Sequence, residues 1–414
     1  TCTVQASMLT GLEPSGHGIV GNGWYDRESG EVRFWKQSNR LIHGEKVWET
    51  ARRRDPSVTC ANLFWWFNMH STADVAMTPR PMYPADGRKI PDVYARPASL
   101  RNDLQARLGP FPLFRFWGPA ASIESTRWIA DAAIAVQASH PSTLTLVYLP
   151  HLDYPLQKVG PDHPSIAAEL RAVDAVVGDL IDCYQRAGTR VIVVSEYGIH
   201  AVDDGVSINR ALRNAGFLVV REELGRDLLD PDASRAFAVV DHQVAHVIVR
   251  DPEDLEAVRA CCAAVDGVDA VLDESGRRAA GLDHDRAGDL VLVAAPRRWF
   301  AYGWWLEDER APDYARTVDI HRKPGYDPLE LVLDPDLRAP RLSIAWTLLR
   351  RRLGFRGMME VIPLRTDLIR GSHGRTDGDA SMMPVMLGAG DGEAIPVTAV
   401  RDVILEAMDL GPSS

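Results

Sequence analysis

The feature that most constrains this chain is the rhythm between Leu144 and Ala215. Short β-branched and apolar runs, Leu144–Leu149 and Val191–Ser195, are each followed by a helical pattern, near Ser165–Gln185 and near Ile208–Ala215. Strands alternating with helices build a parallel sheet with covered faces, because a parallel pair needs a crossover long enough to return. The helix expected over Ala167–Tyr184 rests on Ile166, Leu170, Val173, Val177 and Leu180, spaced three and four apart with acidic residues between them. Gly188 closes it. In open sheets of this kind ligands sit beyond the carboxyl ends of the strands. Those ends carry Pro150-His151-Leu152-Asp153 and Ser195-Glu196-Tyr197-Gly198, so two strand ends point to one site.

The rest of the chain is read around that sheet as a single domain over 1–414. From Trp24 to Pro119 the sequence is rich in Trp, Pro, Arg and Phe with weak periodicity, which suggests a lid-like excursion over 24–119. A small α+β insertion is expected over 236–272, with strands at Val244–Arg250 and Val268–Leu272 around a helix at Pro252–Ala264. The strand Asp289–Ala294 is expected to return to the main sheet, and Val397–Leu410 to form a terminal amphipathic helix. No internal repeat is present.

With 57 acidic against 46 basic residues the net charge is -11, which argues against a nucleic-acid polymer as partner, since phosphate neutralisation needs an electropositive surface. A small phosphorylated substrate held by local cations remains compatible. The five cysteines form no C-x-x-C pair, so neither a disulfide framework nor a zinc ribbon is indicated. A cytoplasmic, reducing compartment is the expectation. Because the sequence opens at Thr1, export stays open. No apolar run approaches the ~18 to 20 residues that span a bilayer.

Thr1 to Leu12 reads as a hydroxyl-rich turn feeding a helix that ends at Gly11. A hydroxyl there lies beside free backbone N–H groups and the positive end of the helix dipole, so it can attack a phosphate that the amides hold. Ser and Thr in that place also serve simply as N-caps. Thr1 lies ahead of Thr10-Gly11-Leu12-Glu13-Pro14-Ser15-Gly16-His17-Gly18-Ile19-Val20. This arrangement resembles the nucleotide pyrophosphatase/phosphodiesterase branch of the alkaline phosphatase superfamily, in which a Thr nucleophile precedes a helix ending in T-G-L-x-P-x-x-H-G-I. Leu149–Asp153, Val191–Gly198, Gly371-Ser372-His373-Gly374 and Pro384–Gly390 resemble later motifs of the same family, in the same order.

The resemblance implies an alkaline-phosphatase-like α/β fold, a mostly parallel sheet with helices on both faces, and a further strand upstream of Thr1. It also implies two divalent metal ions, Zn²⁺ or Mn²⁺, and hydrolysis of a phosphodiester or pyrophosphate bond through a phospho-enzyme. Thr1 would be the nucleophile, with Asp153 and His373 in one metal site and Glu196 with Thr1 in the other. Four departures stand out. Glu196 replaces a ligand Asp and Tyr197 a ligand His; a second ligand His falls at Gln157; and the Asn that assists phosphate falls at Val4, with Gln5 beside it. Either the site is rebuilt with harder oxygen ligands, or the protein is a silent binder of a phosphorylated or prenylated metabolite.

Other imidazoles are available at His151, His200, His242 and His246. The last two read as solvated or core histidines, since Val244, Val247 and Val249 suggest a strand. Asp319–Pro328, with His321, is the densest polar cluster, and reads equally as a phosphate-presenting turn or as a structural one with ion pairs. The aromatics between Trp299 and Trp305 favour core over a stacking platform.

Overall fold

The computed structural model describes residues 1–85, 88–355, 357–376, 382–389 and 392–411. Its central sheet has four strands in the order Val93–Arg96, Val75–Pro79, Cys60–Leu63, Leu144–Val147. The last three run parallel, and Val93–Arg96 pairs antiparallel at the edge. Helices cover both faces, and alternation along the strands decides which side chain meets which layer. Ala61, Leu63 and Met77 pack with Trp128, Ile129 and Val136 of the helix Ile123–Ser139 and with Val176 and Leu180 of the helix Ile166–Arg186. Cys60 and Leu146 pack on the other side with Met8 and Leu9 of the helix Cys2–Thr10, Trp48, and Ile404 and Leu405 of the terminal helix Val400–Ala407.

Three expectations are corrected. The 24–119 stretch is not a lid-like excursion, for it supplies three of the four strands of the central sheet. Asp289–Ala294 does not return to that sheet: Leu290–Ala294 lies inside a second, antiparallel sheet in the order Ala236–Asp241, Val244–Val249, Leu290–Ala294, Val268–Leu272. The small unit therefore extends past 272, because Leu290, Leu292 and Ala294 complete its apolar face. Finally, only Val193–Val194 of the expected Val191–Ser195 run is a strand, and it pairs antiparallel with Met386–Leu387. That returning pair falls within the expected Pro384–Gly390 segment, of which Gly390 lies outside the described residues. Among the described residues no helix is long and apolar enough to cross a membrane.

Candidate active site

The helix Cys2–Thr10 begins at Thr1 and closes at Gly11, whose φ of 70° is the left-handed conformation that glycine adopts without penalty. The Thr1 side chain makes no capping hydrogen bond. Its Oγ1 lies 2.9 Å from the Tyr197 hydroxyl instead. Tyr197 in turn donates to Asp153 Oδ1 at 3.3 Å, and Gln157 Nε2 donates to Asp153 Oδ2 at 2.7 Å. Asp153 and Gln157 meet because they stand four apart on the helix Asp153–Val159. On the other side of Thr1, Gln5 donates its amide to the Glu196 carboxylate while its Oε1 accepts from the Trp66 backbone N–H at 2.6 Å.

His373 reaches this cluster through a close backbone approach. A Cβ on Gly371 would lie 2.1 Å from the Leu156 carbonyl oxygen, so glycine alone lets the Gly371–Gly374 loop rest on the Asp153–Val159 helix. The His373 ring then stacks on Tyr197 with centroids 3.7 Å apart. His242 lies 3.7 Å from His373 on centroids, and Tyr326 lies 3.6 Å from His242. The four rings form one column. Tyr326 closes the circuit by donating to Gln157 Oε1 at 2.9 Å.

His242 occupies the two-residue turn between Asp241 and Val244, with a φ of 59°. Such hairpin turns require positive φ and favour Asn or Gly, so His here stores about 1–2 kcal/mol of strain. Asp241 Oδ1 holds His242 Nδ1 at 2.7 Å. Asn22 donates to the same carboxylate through its backbone N–H (2.7 Å) and its side-chain amide (2.9 Å), and accepts from the Cys2 N–H at 3.0 Å. The strained turn is thereby tied to the start of the Thr1 helix.

Burial dominates the electrostatics. It pushes the Asp153 and Glu196 carboxyls above their usual range and the Tyr197 phenol well above its own. The same desolvation drives His373 well below the ordinary imidazole value. Burial is also the largest single influence on Asp241, but the His242 hydrogen bond and charge together with the Asn22 N–H outweigh it and hold that carboxylate below its usual range. Among the described residues, Nε2 of His242 and Nε2 of His373 are buried without a partner.

The structure thus gathers Thr1, Gln5, Asp153, Gln157, Glu196, Tyr197 and His373 in one place. His151 does not join them. It turns to Glu169, 2.7 Å from Nε2, and lines a cleft of about 430 Å³ with Lys158. His321 stands exposed in its turn, and His246 is a satisfied core side chain between the Val20 carbonyl and the Gly288 N–H. Asn22, Asp241, His242 and Tyr326 are site residues that the motifs did not assign. A local signal for two of them was present in Asp241-His242, a polar pair in a tight turn between apolar runs.

The donor set does not fit a two-metal centre. Among the described residues no three His, Cys, Asp or Glu side chains are grouped so as to hold an ion. Both Asp153 oxygens are occupied by Gln157 and Tyr197, and His373 is held face-on in the ring column. At the two positions where the resemblance implies imidazole ligands stand a neutral amide and a phenol whose ionisation burial opposes.

The model of the type I phosphodiesterase/nucleotide pyrophosphatase family matches residues 1–327. The chain belongs to this family. It is accordingly a phosphodiesterase/nucleotide pyrophosphatase-type hydrolase of the alkaline phosphatase superfamily, whose members typically depend on divalent metals. Among solved structures, human ectonucleotide pyrophosphatase/phosphodiesterase 5 is similar to this phosphodiesterase-family chain, with 13% identity and a TM-score of 0.57 over 100% of this chain and 84% of that one. An inactive variant of the murine protein in complex with AMP gives 16% identity and 0.51, covering 99% and 83%. Phosphonoacetate hydrolase from Sinorhizobium meliloti, in complex with phosphonoformate, gives 18% identity and 0.52, covering 76% and 74%. These likenesses establish the fold. No curated protein sequence matches the chain.

Proposed function

We propose that the protein hydrolyses a phosphodiester or pyrophosphate bond in a small phosphorylated substrate, with Thr1 as the attacking group. The observation that carries this reading is the 2.9 Å contact between Thr1 Oγ1 and the Tyr197 hydroxyl, which leads on to Asp153. As the Thr1 oxygen bonds to phosphorus and the leaving-group oxygen departs, the Thr1 proton passes to Tyr197 and the Tyr197 proton to Asp153. A buried carboxyl whose proton affinity is raised suits that role. First-turn N–H groups of the Cys2–Thr10 helix offer hydrogen bonds and a favourable dipole to the phosphoryl oxygens. His242, oriented by Asp241, and His373 bring to the same cluster Nε2 atoms that have no partner among the described residues. Water then cleaves the Thr1–phosphorus bond. No step is routed through a metal, because the donor set does not fit one.

Hydrolysis of bis(p-nitrophenyl) phosphate tests the proposal. Thr1→Ala is expected to reduce turnover to background, and Tyr197→Phe to lower it by about 10²-fold. Equal rates in the parent and Thr1→Ala proteins would remove Thr1 from the mechanism. A second reading, binding of a phosphorylated or prenylated metabolite without cleavage, is favoured by the amide of Gln157 and the stacked phenol of Tyr197 at positions where the resemblance implies imidazole ligands. Calorimetric binding of AMP together with no turnover of any phosphodiester would select it.

A further inference from the structure

The helix Pro340–Arg352 is turned inside out relative to an ordinary surface helix. Leu342, Trp346, Leu349 and Leu353 follow one another at spacings of four, three and four, which puts them on one face of the helix and its continuation. That face points to solvent, with exposures of 73%, 61%, 48% and 66%. The helix is seated by its other side, where Ile344 packs on the core around Val361 and Ile362. Phe355 and Met358, 60% and 44% exposed, extend the apolar surface beyond the helix end. Monomeric proteins rarely leave such a continuous patch without an occupant.

Charge identifies the occupant. Between Asp336 and Glu360 the sequence holds six arginines and no Asp or Glu, within a chain of net charge -11. On a helical projection Arg341 and Arg352 flank one edge of the Leu/Trp stripe and Arg350 the other. We propose that this face lies in the headgroup region of an anionic lipid bilayer. A helix with Leu and Trp on one face and cations along the margins buries the stripe at the acyl boundary, while guanidinium groups reach the lipid phosphates. At ~1.5 Å rise per residue the helix is about 20 Å long, short of the ~30 Å hydrocarbon core, so it rests in the surface and does not cross. Self-association through the same stripe is disfavoured, since it would bring two rows of arginine together.

Co-sedimentation of the whole protein with vesicles tests the proposal. Binding is expected to phosphatidylcholine vesicles that contain phosphatidylglycerol, and to weaken with added salt. Arg350→Gln with Arg352→Gln should weaken it about tenfold or more, and Trp346→Glu with Leu349→Glu should abolish it. All four side chains lie outside the core, and an unchanged thermal melt would establish that the variants fold. Absence of binding to the anionic vesicles overturns the proposal, as does binding that these substitutions leave intact. A dimer in light scattering that Trp346→Glu dissolves, without vesicle binding, would assign the face to a second copy.

Discussion

Two buried polar clusters stand side by side in this molecule, and they differ in what is left over. In the first, the Lys323 ammonium lies 2.7 Å from Asp327 Oδ2 and 2.8 Å from Glu330 Oε1. The remaining carboxylate oxygens accept from the Leu329 N–H and from Trp117 Nε1, while the Asp319 N–H gives Glu330 Oε1 a second bond. Every oxygen is matched, so this cluster has no capacity for a ligand. In the second, around Thr1, burial outweighs the neighbouring charges and hydrogen bonds and raises both the Asp153 and Glu196 carboxyls, and among the described residues Nε2 of His242 and of His373 has no partner. Buried groups in folded proteins are normally satisfied, so this residual capacity sets the second cluster apart from the first. The difference separates a closed network from an open one more sharply than polar density does, because in sequence the Asp319–Pro328 segment is the denser of the two.

The largest test of this contrast lies in the satisfied cluster. Lys323→Met should lower unfolding free energy by about 3–5 kcal/mol, because it strands two buried carboxylates, and guanidinium titration would measure it. A loss under about 1 kcal/mol would mean that the cluster is not a closed network. The open cluster should behave in the opposite way. His242→Asn places a residue tolerant of positive φ in the strained turn, so stability should change by less than about 1 kcal/mol, while phosphodiester turnover falls by about 10²-fold. Metal uptake offers a third comparison. The parent protein should retain fewer than two divalent ions after dialysis against Zn²⁺, as read by plasma mass spectrometry. Gln157→His with Tyr197→His and Glu196→Asp should retain more, since imidazole and short carboxylate ligands suit zinc.

The same contrast explains what was legible in the sequence. The Cys2–Thr10 helix, its Gly11 stop and the 3.6-residue period of Ile166–Arg186 are local properties, and they stand where the pattern puts them. Asp153, Glu196 and His373 were legible because motif order carries topology, and the fold brings those loops together. The strands Cys60–Leu63 and Val75–Pro79 were not, for they are four and five residues long and almost wholly buried, which leaves no alternation to read. Asp241 and His242 were obscured by the spacing to His246. One histidine lies in the turn and the other in the strand, so the apparent pair belongs to two environments. The column of rings is a tertiary fact that no local pattern encodes.

The smallest effect expected is a pH dependence, and it isolates the desolvated Glu196 carboxyl directly. Burial raises the Glu196 carboxyl above its usual value, so the folded protein binds its proton more tightly than the unfolded chain does. The stability this group contributes is therefore complete below the unfolded carboxyl value, about 4.3, and is lost as pH rises through the higher folded value. Glu196→Gln keeps an acceptor for the Gln5 amide and has no proton to lose. The variant should match the parent in melting temperature near pH 4 and exceed it by a few degrees near pH 8, with the gap opening between the two pKa values. Parallel melting curves across that range would mean that Glu196 is compensated in solution by a cation, and the open cluster would then have to be redrawn as a charged site with its counter-ion in place.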